Sequence, residues 1–247
     1  MFKPSTPKIE ALAKKQPQII QQLEGLLAGK TRVYIDWANV YHWAERLNWR
    51  IDVERLYRFL KCFDNIDVIS IYSGTLEGNQ VSEESIRKVT KIGYRVRTKP
   101  VKIMKVSIDA TSINSQSTDL IKKLIHSCFF RELDINTIEN LNKRLKELNA
   151  QGKLYLEEKK CNFDVEIGVD MILDKERKLA DCFCLWSGDS DFHDPVRDLI
   201  KEGKRVILFA TARRISTELG KLNKEGLVIF DIAKVRNFIC WNKDIKP

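Results

Sequence analysis

An apolar segment that leads directly into two closely spaced aspartates is the feature that most constrains the fold of this chain. Residues 183–186 form a continuous apolar run, which is typical of a strand buried on both faces in a parallel sheet. Gly188 permits a turn after this run, and Asp189 and Asp191 follow, with Ser190 and Asp191 as candidate caps of the next helix. Ligands of open α/β sheets bind at the carboxyl ends of the strands, so we expect a ligand site at these aspartates.

A second segment of the same form lies near the start of the chain. Residues 32–35 (Arg-Val-Tyr-Ile) end in Asp36, and Asn39 follows three residues later. A third acidic segment carries Asp164 and Asp170 in an amphipathic stretch for which we predict a helix. The two strand-end carboxylate groups require a common explanation.

Strand-like and helix-like segments alternate along most of the chain, which predicts parallel strands joined by right-handed crossovers. The predicted fold class is therefore α/β, with a central parallel sheet of five or six strands. The strands that precede Asp36 and Asp189 are predicted to be neighbours across the switch point of the sheet, so that their carboxylates converge. The predicted strands are 32–35, 66–72, 93–97, 182–186, 205–209 and 227–231, and the predicted helices are 52–61, 82–92, 163–178, 192–202 and 213–223.

Two regions do not follow this alternation. Residues 1–30 read as an N-terminal helical arm of two short helices divided at Pro17, which packs on the main domain. Residues 100–158 read as a helical insertion, with helices at 118–129 and 136–148, within a main domain that spans 31–240 and precedes a tail at 241–247. The insertion is interpreted either as a substrate platform or lid, or as a structural addition.

Composition excludes several classes of protein. The apolar fraction of 43% and the charged fraction of 31% are those of a globular domain, and no stretch approaches the roughly 20 apolar residues of a membrane-spanning helix. The six cysteines show neither a CxxC pair nor zinc-ligand spacing, so we read them as free thiols in a reducing compartment. The N-terminus lacks an apolar signal-peptide core, and we predict a cytoplasmic location without membrane association.

Positive charge is concentrated in one part of the sequence. The net charge is +9, and residues 87–105 contain eight basic residues and no acid. One interpretation is a solvated basic face, and the other is a surface that contacts phosphates without reading sequence. The candidate nucleic-acid-binding residues are Arg95, Arg97, Lys99, Lys102 and Lys160.

The grouped carboxylates indicate a metal site. Several carboxylates close together repel one another unless a cation compensates them, and hard oxygen ligands favour Mg²⁺ or Mn²⁺. With a phosphodiester substrate, such an ion polarises a phosphoryl oxygen and activates water for in-line attack.

Three motifs together resemble those of NYN-domain proteins, the LabA-like branch of the PIN-like nucleases. They are residues 34–39 (YIDWAN), residues 160–164 (KCNFD) with the Asp-Met pair at 170–171, and residues 187–192 (SGDSDF) followed by 203–206 (GKRV). The resemblance covers about 32–99 and 159–231. It implies a metal-dependent ribonuclease with a PIN-like, three-layer sandwich fold.

The resemblance also implies roles for individual residues. Asp36, Asp164, Asp189 and Asp191 match the acidic metal site, and Asn39 assists it. Asp170 matches a further acid of the family, but it lies six residues after Asp164, about 240° around a helix, and so ranks lower. Ser187 and Ser190 match residues that bind a ligand or water, although helix capping is a simpler role.

The chain departs from the family pattern at two places. Trp37 and Ala38 stand where a short polar or glycine-containing loop is common, which reshapes the approach to the acids. Asp194 separates the SGDSDF motif from Pro195 by one residue more than is usual.

The predicted function is a Mg²⁺- or Mn²⁺-dependent endoribonuclease acting on single-stranded or structured RNA, with a homodimer as a possible assembly. The alternatives are a non-catalytic RNA-binding or regulatory protein of the same fold, and a DNA-directed or flap-type nuclease that uses the same acids. A haloacid-dehalogenase-like phosphatase fits less well, because its nucleophilic aspartate directly follows the first strand, whereas the Asp-x-Asp pair here comes late in the chain.

Overall fold

Strands and helices alternate along most of the chain in a computed structural model. The structure describes residues 1–107, 109–124, 133–151, 155–211 and 214–241. The strands are β1 (Thr31–Asp36), β2 (Ile66–Thr75), β3 (Arg95–Pro100), β4 (Lys102–Ser107), β5 (Tyr155–Lys160), β6 (Cys182–Trp186), β7 (Arg205–Ala210) and β8 (Val228–Asp231). The helices are α1 (Pro7–Lys15), α2 (Pro17–Leu26), α3 (Trp37–His42), α4 (Ala44–Leu47), α5 (Val53–Leu60), α6 (Gln80–Ile92), α7 (Asp119–Leu124), α8 (Ile135–Ala150), α9 (Asp164–Glu176), α10 (His193–Lys201), α11 (Thr217–Lys221) and α12 (Arg236–Ile239). Short 3₁₀ helices span Ser190–Phe192, Leu222–Glu225 and Ile232–Val235.

The central sheet confirms the predicted fold class. Its six strands are ordered β3-β2-β1-β6-β7-β8, and every neighbouring pair is parallel. The strand order reverses between β1 and β6, which are the two strands whose ends were predicted to meet, and Ile35 lies opposite Trp186. A crevice at the carboxyl ends of β1 and β6 is therefore the expected ligand position for this topology.

Side chains alternate across the strands, so each strand contributes to both faces of the sheet. On one face, Tyr34 of β1 and Tyr72 of β2 reach α9 through hydrogen bonds to Asp174 and Asp170. On the other face, Tyr94 after α6 donates a hydrogen bond to the backbone of Val53 in α5. The sheet is thus enclosed by helices on both faces, and its central strands are buried throughout.

The N-terminal arm consists of two helices separated at Gln16, as predicted. Leu23 and Leu27 are buried in the same hydrophobic core as the sheet, and Ile19 and Leu26 pack against it. The arm is therefore part of the main domain's core.

Several predicted element boundaries shift by a few residues. The third strand begins at Arg95 and not at residue 93, because Gly93 ends α6 in the left-handed conformation with a φ of 117°. The predicted helix at 213–223 is shorter, since Ser216 caps α11 and the chain tightens into a 3₁₀ turn at Leu222.

Lys102–Lys160 forms a second compact unit, separate from the unit formed by Met1–Val101 and Cys161–Pro247. The predicted helical insertion contains helices α7 and α8, but it also contains a ribbon that was not predicted, in which β4 and β5 pair antiparallel and Lys105 lies opposite Glu157. β5 is a charged segment that becomes a strand by pairing with residues about fifty positions earlier, and local sequence patterns do not report such pairing. Helix α8 agrees with the predicted helix at 136–148, whereas residues 125–129 of the other predicted helix lie outside the described residues.

None of the helices in the described ranges combines the length and apolar character that crossing a membrane requires.

Candidate active site

Asp36 lies at the carboxyl end of β1, where the strand passes into α3. Its side chain is nearly fully buried, and one carboxylate oxygen caps α3 by accepting from the backbone N–H of Asn39 at 3.3 Å. Burial raises the pKa of Asp36, and the charge of Asp189 raises it further, while the hydrogen bonds from Asn39 and Ser187 oppose the shift. Asp36 and Asp189 are therefore close enough to repel each other.

Ser187 connects the ends of β1 and β6. Its fully buried hydroxyl donates to Asp36 Oδ2 at 3.1 Å and accepts from the backbone N–H of Asp189 at 3.3 Å. The residue was predicted to bind ligand or nucleic acid or to act as a cap. In the structure its hydrogen bonds fix the position of Asp36 relative to Asp189.

Asp189 and Asp191 occupy the turn after β6. Asp189 is half-buried and is the N-cap of the 3₁₀ helix, with its Oδ1 accepting from the backbone N–H of Asp191 at 3.4 Å. The hydroxyl of Ser190 also donates to this oxygen at 3.4 Å. The capping residue is thus Asp189, one or two positions before the predicted caps, because the chain first tightens into a 3₁₀ turn before α10 begins. Asp191 is exposed.

Gly188 is required by the close approach of another loop. A Cβ atom at this position would lie 1.6 Å from the backbone oxygen of Arg214, and the Gly188 carbonyl accepts from the backbone N–H of Ser216 at 2.9 Å. The loop after β7 therefore fixes the turn that carries Asp189.

Asp164 is the first residue of α9 and is half-buried. Burial raises its pKa to about 6, with further contributions from the charges of Asp189, Asp36 and Asp191 and an opposing hydrogen bond with Asn162. Among the described residues, its Oδ2 atom is buried without a hydrogen-bond partner. Asp164, which was predicted from a separate motif, is therefore close enough to the other three acids for their charges to act on it.

We call Asp36, Asp164, Asp189 and Asp191 the acid group, and it fits a divalent cation. Like charges in partly buried positions disfavour ionisation, and a buried carboxylate oxygen without a donor lacks the partner that such atoms normally have. A hard cation satisfies both requirements. In the described part of the chain, no three His, Cys, Asp or Glu side chains are already grouped as ligands of a metal ion.

Asn39 was predicted to assist the acids, and in the structure its backbone N–H donates to Asp36 Oδ1 at 3.3 Å. Its side-chain oxygen accepts from the indole N–H of Trp43 at 2.8 Å, which anchors the start of α3 in the core. The Asn39 amide thereby holds the Asp36 carboxylate at a fixed position.

Asp170 is in different surroundings from the acid group. Its buried carboxylate accepts from Tyr72 at 2.7 Å, from Arg97 at 2.9 and 3.3 Å, and from Arg95 at 3.2 Å. Burial alone would raise the pKa of Asp170, but hydrogen bonds from Arg97 and Tyr72 and the charges of both arginines outweigh it, so the pKa is lowered. Asp170 therefore has cationic partners of its own within the protein.

The remaining predicted basic residues are differently placed. Lys99 pairs with Glu166 at 2.6 Å, and its ammonium group lies 4.7 Å from the centre of the Phe163 ring. Lys102 is exposed in the second unit, while the side chain of Lys160 lies outside the described residues. Sequence reasoning missed Glu166 and Tyr72, because a lone acid on a helix and a tyrosine in a strand are common at positions without function.

Part of the chain resembles a known protein family in sequence. Residues 129–225 match the family model of the NYN domain, which confirms the predicted resemblance, and NYN is a family of PIN-like nucleases. The match includes Asp164, Asp189 and Asp191 but not Asp36. No curated protein matches the chain.

A solved structure has a similar fold. The crystal structure of a protein of unknown function from Vibrio parahaemolyticus superposes with a TM-score of 0.51 at 16% sequence identity, covering 85% of this chain and 96% of the other. At this identity the likeness concerns the fold alone. The shared α/β fold extends beyond the residues matched by the NYN model.

Proposed function

We propose that this chain, which carries a PIN-like NYN domain, is an endoribonuclease that uses Mg²⁺ or Mn²⁺ bound at the acid group to hydrolyse RNA phosphodiester bonds. NYN and other PIN-like nucleases generally use divalent metals. A single observation carries the proposal for this chain: the charge of Asp189, in the turn after β6, contributes to raising the pKa of both Asp36 and Asp164, and among the described residues Asp164 keeps a buried oxygen without a partner.

The proposed roles follow from the contacts. Asp36, Asp164 and Asp189 would hold the ion, together with the exposed Asp191. Ser187 fixes Asp36 by its hydrogen bond of 3.1 Å. The bound ion supplies charge stabilisation at the phosphoryl oxygen and lowers the pKa of water.

Basic residues are proposed to hold the RNA backbone. Arg95, Arg97 and Lys99 lie along β3, two residues apart, so they share one face of the strand. Lys102 and Lys160, in the second unit, are proposed as further phosphate contacts. The hydroxyl of Ser190 donates to Asp189, and we propose that this hydrogen bond orients the Asp189 carboxylate for binding the ion.

The test is cleavage of end-labelled single-stranded RNA and of DNA with the same sequence, in EDTA, Mg²⁺ or Mn²⁺. The wild type is compared with Asp189→Asn and with the control Asp64→Asn, which changes an exposed aspartate before β2 at the opposite edge of the sheet. RNA cleavage that needs metal, persists in Asp64→Asn and disappears in Asp189→Asn is the expected result. Equal cleavage by wild type and Asp189→Asn would assign the activity to another site or to a contaminant.

A second candidate is a non-catalytic RNA-binding protein of the same fold. One observation favours this candidate. Within the described ranges, no three Asp, Glu, Cys or His side chains are already placed as ligands of a metal ion. RNA that is bound but remains intact with every metal would support this candidate. Cleavage of DNA in preference to RNA would support a DNA-directed nuclease.

A further inference from the structure

An aromatic-lined cavity has Trp37, the residue that follows Asp36, in its wall, and the proposed mechanism does not use this cavity. Its volume is about 450 Å³, and its walls come from α3, α5, α6, the end of β2 and Trp241. This volume is in the range of roughly 300–1,000 Å³ that is typical of small-molecule pockets. We call it the α3 pocket.

The aromatic rings of the α3 pocket are unusually accessible. Tyr41 is 64% exposed and Trp241 is 40% exposed, and they are the only aromatic residues among the exposed large hydrophobic residues of the described ranges. Trp37 is half-buried, and its ring centre lies 6.4 Å from that of Tyr41, with the planes tilted by 58°. Exposed aromatic rings that line a concave surface are typical of sites that stack planar ligands.

Two of these rings, those of Trp37 and Trp241, are held in place by the main domain. The indole N–H of Trp241 donates to the Ile51 carbonyl at 3.2 Å, and the Arg50 guanidinium lies 5.3 Å from the centre of the Trp241 ring. Trp37 also packs against the core. The pocket is therefore built before a ligand arrives, which lowers the entropic cost of binding.

The charge of the pocket suits an anionic ligand with a planar group. Arg50 and the exposed Lys88 contribute positive charge, and His42 also lines the wall. Asp52 is the acid in the lining, and its carboxylate caps α5 by accepting from the backbone N–H groups of Glu54 and Arg55.

The α3 pocket takes residues from the ends of β1 and β2, and the acid group takes Asp36 from the end of β1. Asp36 lies opposite Tyr72 in the sheet, and the Tyr72 side chain points towards α9. The next residue, Ser73, therefore points to the opposite face of the sheet, where it lines the pocket. Trp37 directly follows Asp36. One peptide bond therefore joins a proposed metal ligand to a wall of the pocket.

We propose that the α3 pocket binds a nucleobase of a single-stranded nucleic acid whose phosphodiester lies at the acid group. The inference deepens the proposed function, on which it rests, by making an unpaired base next to the cleaved bond part of the substrate. Stacking on Tyr41, Trp37 and Trp241 holds the base, and Lys88 and Arg50 neutralise the adjoining phosphates. Bases in a duplex are paired and stacked inside the helix, so duplex RNA does not reach the pocket.

Binding without cleavage is the appropriate test. The full chain with Asp189→Asn is titrated in EDTA with a labelled single-stranded RNA, the matched duplex and single-stranded DNA, so that neither the metal nor turnover affects the result. Tyr41→Ala and Trp37→Ala are each expected to weaken single-strand binding about 5- to 100-fold. Tyr41→Phe and Trp37→Phe, which keep a ring, are expected to retain it, and duplex binding is expected to stay unchanged.

The matched control is Val81→Ala, which changes another exposed apolar residue, on α6 but outside the pocket lining. Equal affinity of Tyr41→Ala, Trp37→Ala and Val81→Ala for single strands would overturn the inference. So would a loss of self-association, without any loss of RNA binding, when the ring variants are examined by light scattering. Binding of a nucleoside monophosphate as tightly as of the strand would also overturn it, and would assign the pocket to a free nucleotide.

The two proposals fail separately. If the wild type never cleaves but Tyr41→Ala still loses single-strand binding, the pocket stands and the nuclease does not. If the wild type cleaves with metal and the ring variants bind and cleave as it does, the nuclease stands and the pocket does not.

Discussion

Helix α9 carries three aspartates in two kinds of surroundings, and the contrast between them separates candidate chemistry from structure. Asp164, at its first turn, faces other acids and keeps a buried oxygen without a partner among the described residues. Asp170 and Asp174 are more deeply buried, yet both are neutralised. Asp174 accepts from Arg32 at 2.6 Å and from the Tyr34 hydroxyl at 2.7 Å.

The contrast shows that burial alone does not identify a functional acid. Burial disfavours the charged form of Asp170, but hydrogen bonds and charges from two arginines stabilise that form, and the pKa is lowered. At Asp164 the neighbours add to the effect of burial, and the pKa rises to about 6. A carboxylate that the fold leaves uncompensated is the one expected to bind a cation from solution.

The largest expected difference between the two settings is in catalysis. Asp164→Asn is expected to lower metal-dependent RNA cleavage by at least about 100-fold, because it removes a proposed ligand of the ion. Asp170→Asn is expected to lower cleavage less than about tenfold per folded molecule, since its partners lie within the protein. Cleavage rates normalised to the folded fraction measure both effects. Equal losses in the two variants would show that Asp170 also belongs to the metal site.

The next largest effect is on stability. Asp174→Ala is expected to lower the free energy of unfolding by about 3 kcal/mol, because it leaves the buried Arg32 side chain, which is 10% exposed, without its closest partner. Asp198→Ala, on α10, changes an aspartate whose side chain is 55% exposed, and is expected to change stability by no more than about 0.5 kcal/mol. Urea denaturation measures both. Similar values for the two variants would show that the Arg32–Asp174 pair contributes little.

A smaller effect, of about 1 kcal/mol, is expected in the pH dependence of stability without metal. The pKa of Asp164 rises on folding from its ordinary 3.8 to about 6, so its favourable contribution exists below pH 4 and is lost as the pH rises through 6. In EDTA, the free energies of unfolding of wild type and Asp164→Asn should therefore differ least near pH 4. As the pH rises to about 6.5, the variant should become more stable relative to the wild type.

Asp170 should behave in the opposite way. Its pKa is lowered on folding, so its contribution exists above its ordinary value of 3.8 and is lost on acidification. Asp170→Asn should thus be most destabilising at neutral pH.

For Asp164, stability curves of Asp164→Asn and wild type that run parallel from pH 4 to 7 would contradict the proposed repulsion within the acid group.

The smallest effect is expected at the arginines that neutralise Asp170. Replacing both Arg95 and Arg97 by Gln is expected to reduce the salt dependence of RNA binding, the slope of log affinity against log salt, by about 1 or less. Two cations without protein partners would contribute more to this slope, but Arg95 and Arg97 already share the carboxylate of Asp170. Lys201→Gln, at the exposed end of α10, is the control. An unchanged slope would mean that the arginines only hold Asp170.

The sequence predicted most of the fold because its signals are local. The apolar run before Asp189 and the alternation of strands and helices are visible within a few residues, and the rules for crossover connections then limit the possible strand orders. The β4–β5 ribbon was missed because its charged strands exist only through pairing with each other. Likewise, the partners of Asp170 lie on β2 and β3, and nothing in the α9 sequence specifies them.

By itself, the sequence determined the parallel sheet and the positions of acids at strand ends and at the start of α9, because hydrophobic periodicity and turn residues act over short distances. Only the tertiary structure decided which of these acids are compensated. Asp164 and Asp170 are the same residue type on the same helix, and six residues of helical rotation bring one beside Asp189 and the other beside Arg97. Charge, burial and hydrogen bonding at a side chain depend on neighbours that are distant in the chain, so the candidate chemistry of this site follows from its packing.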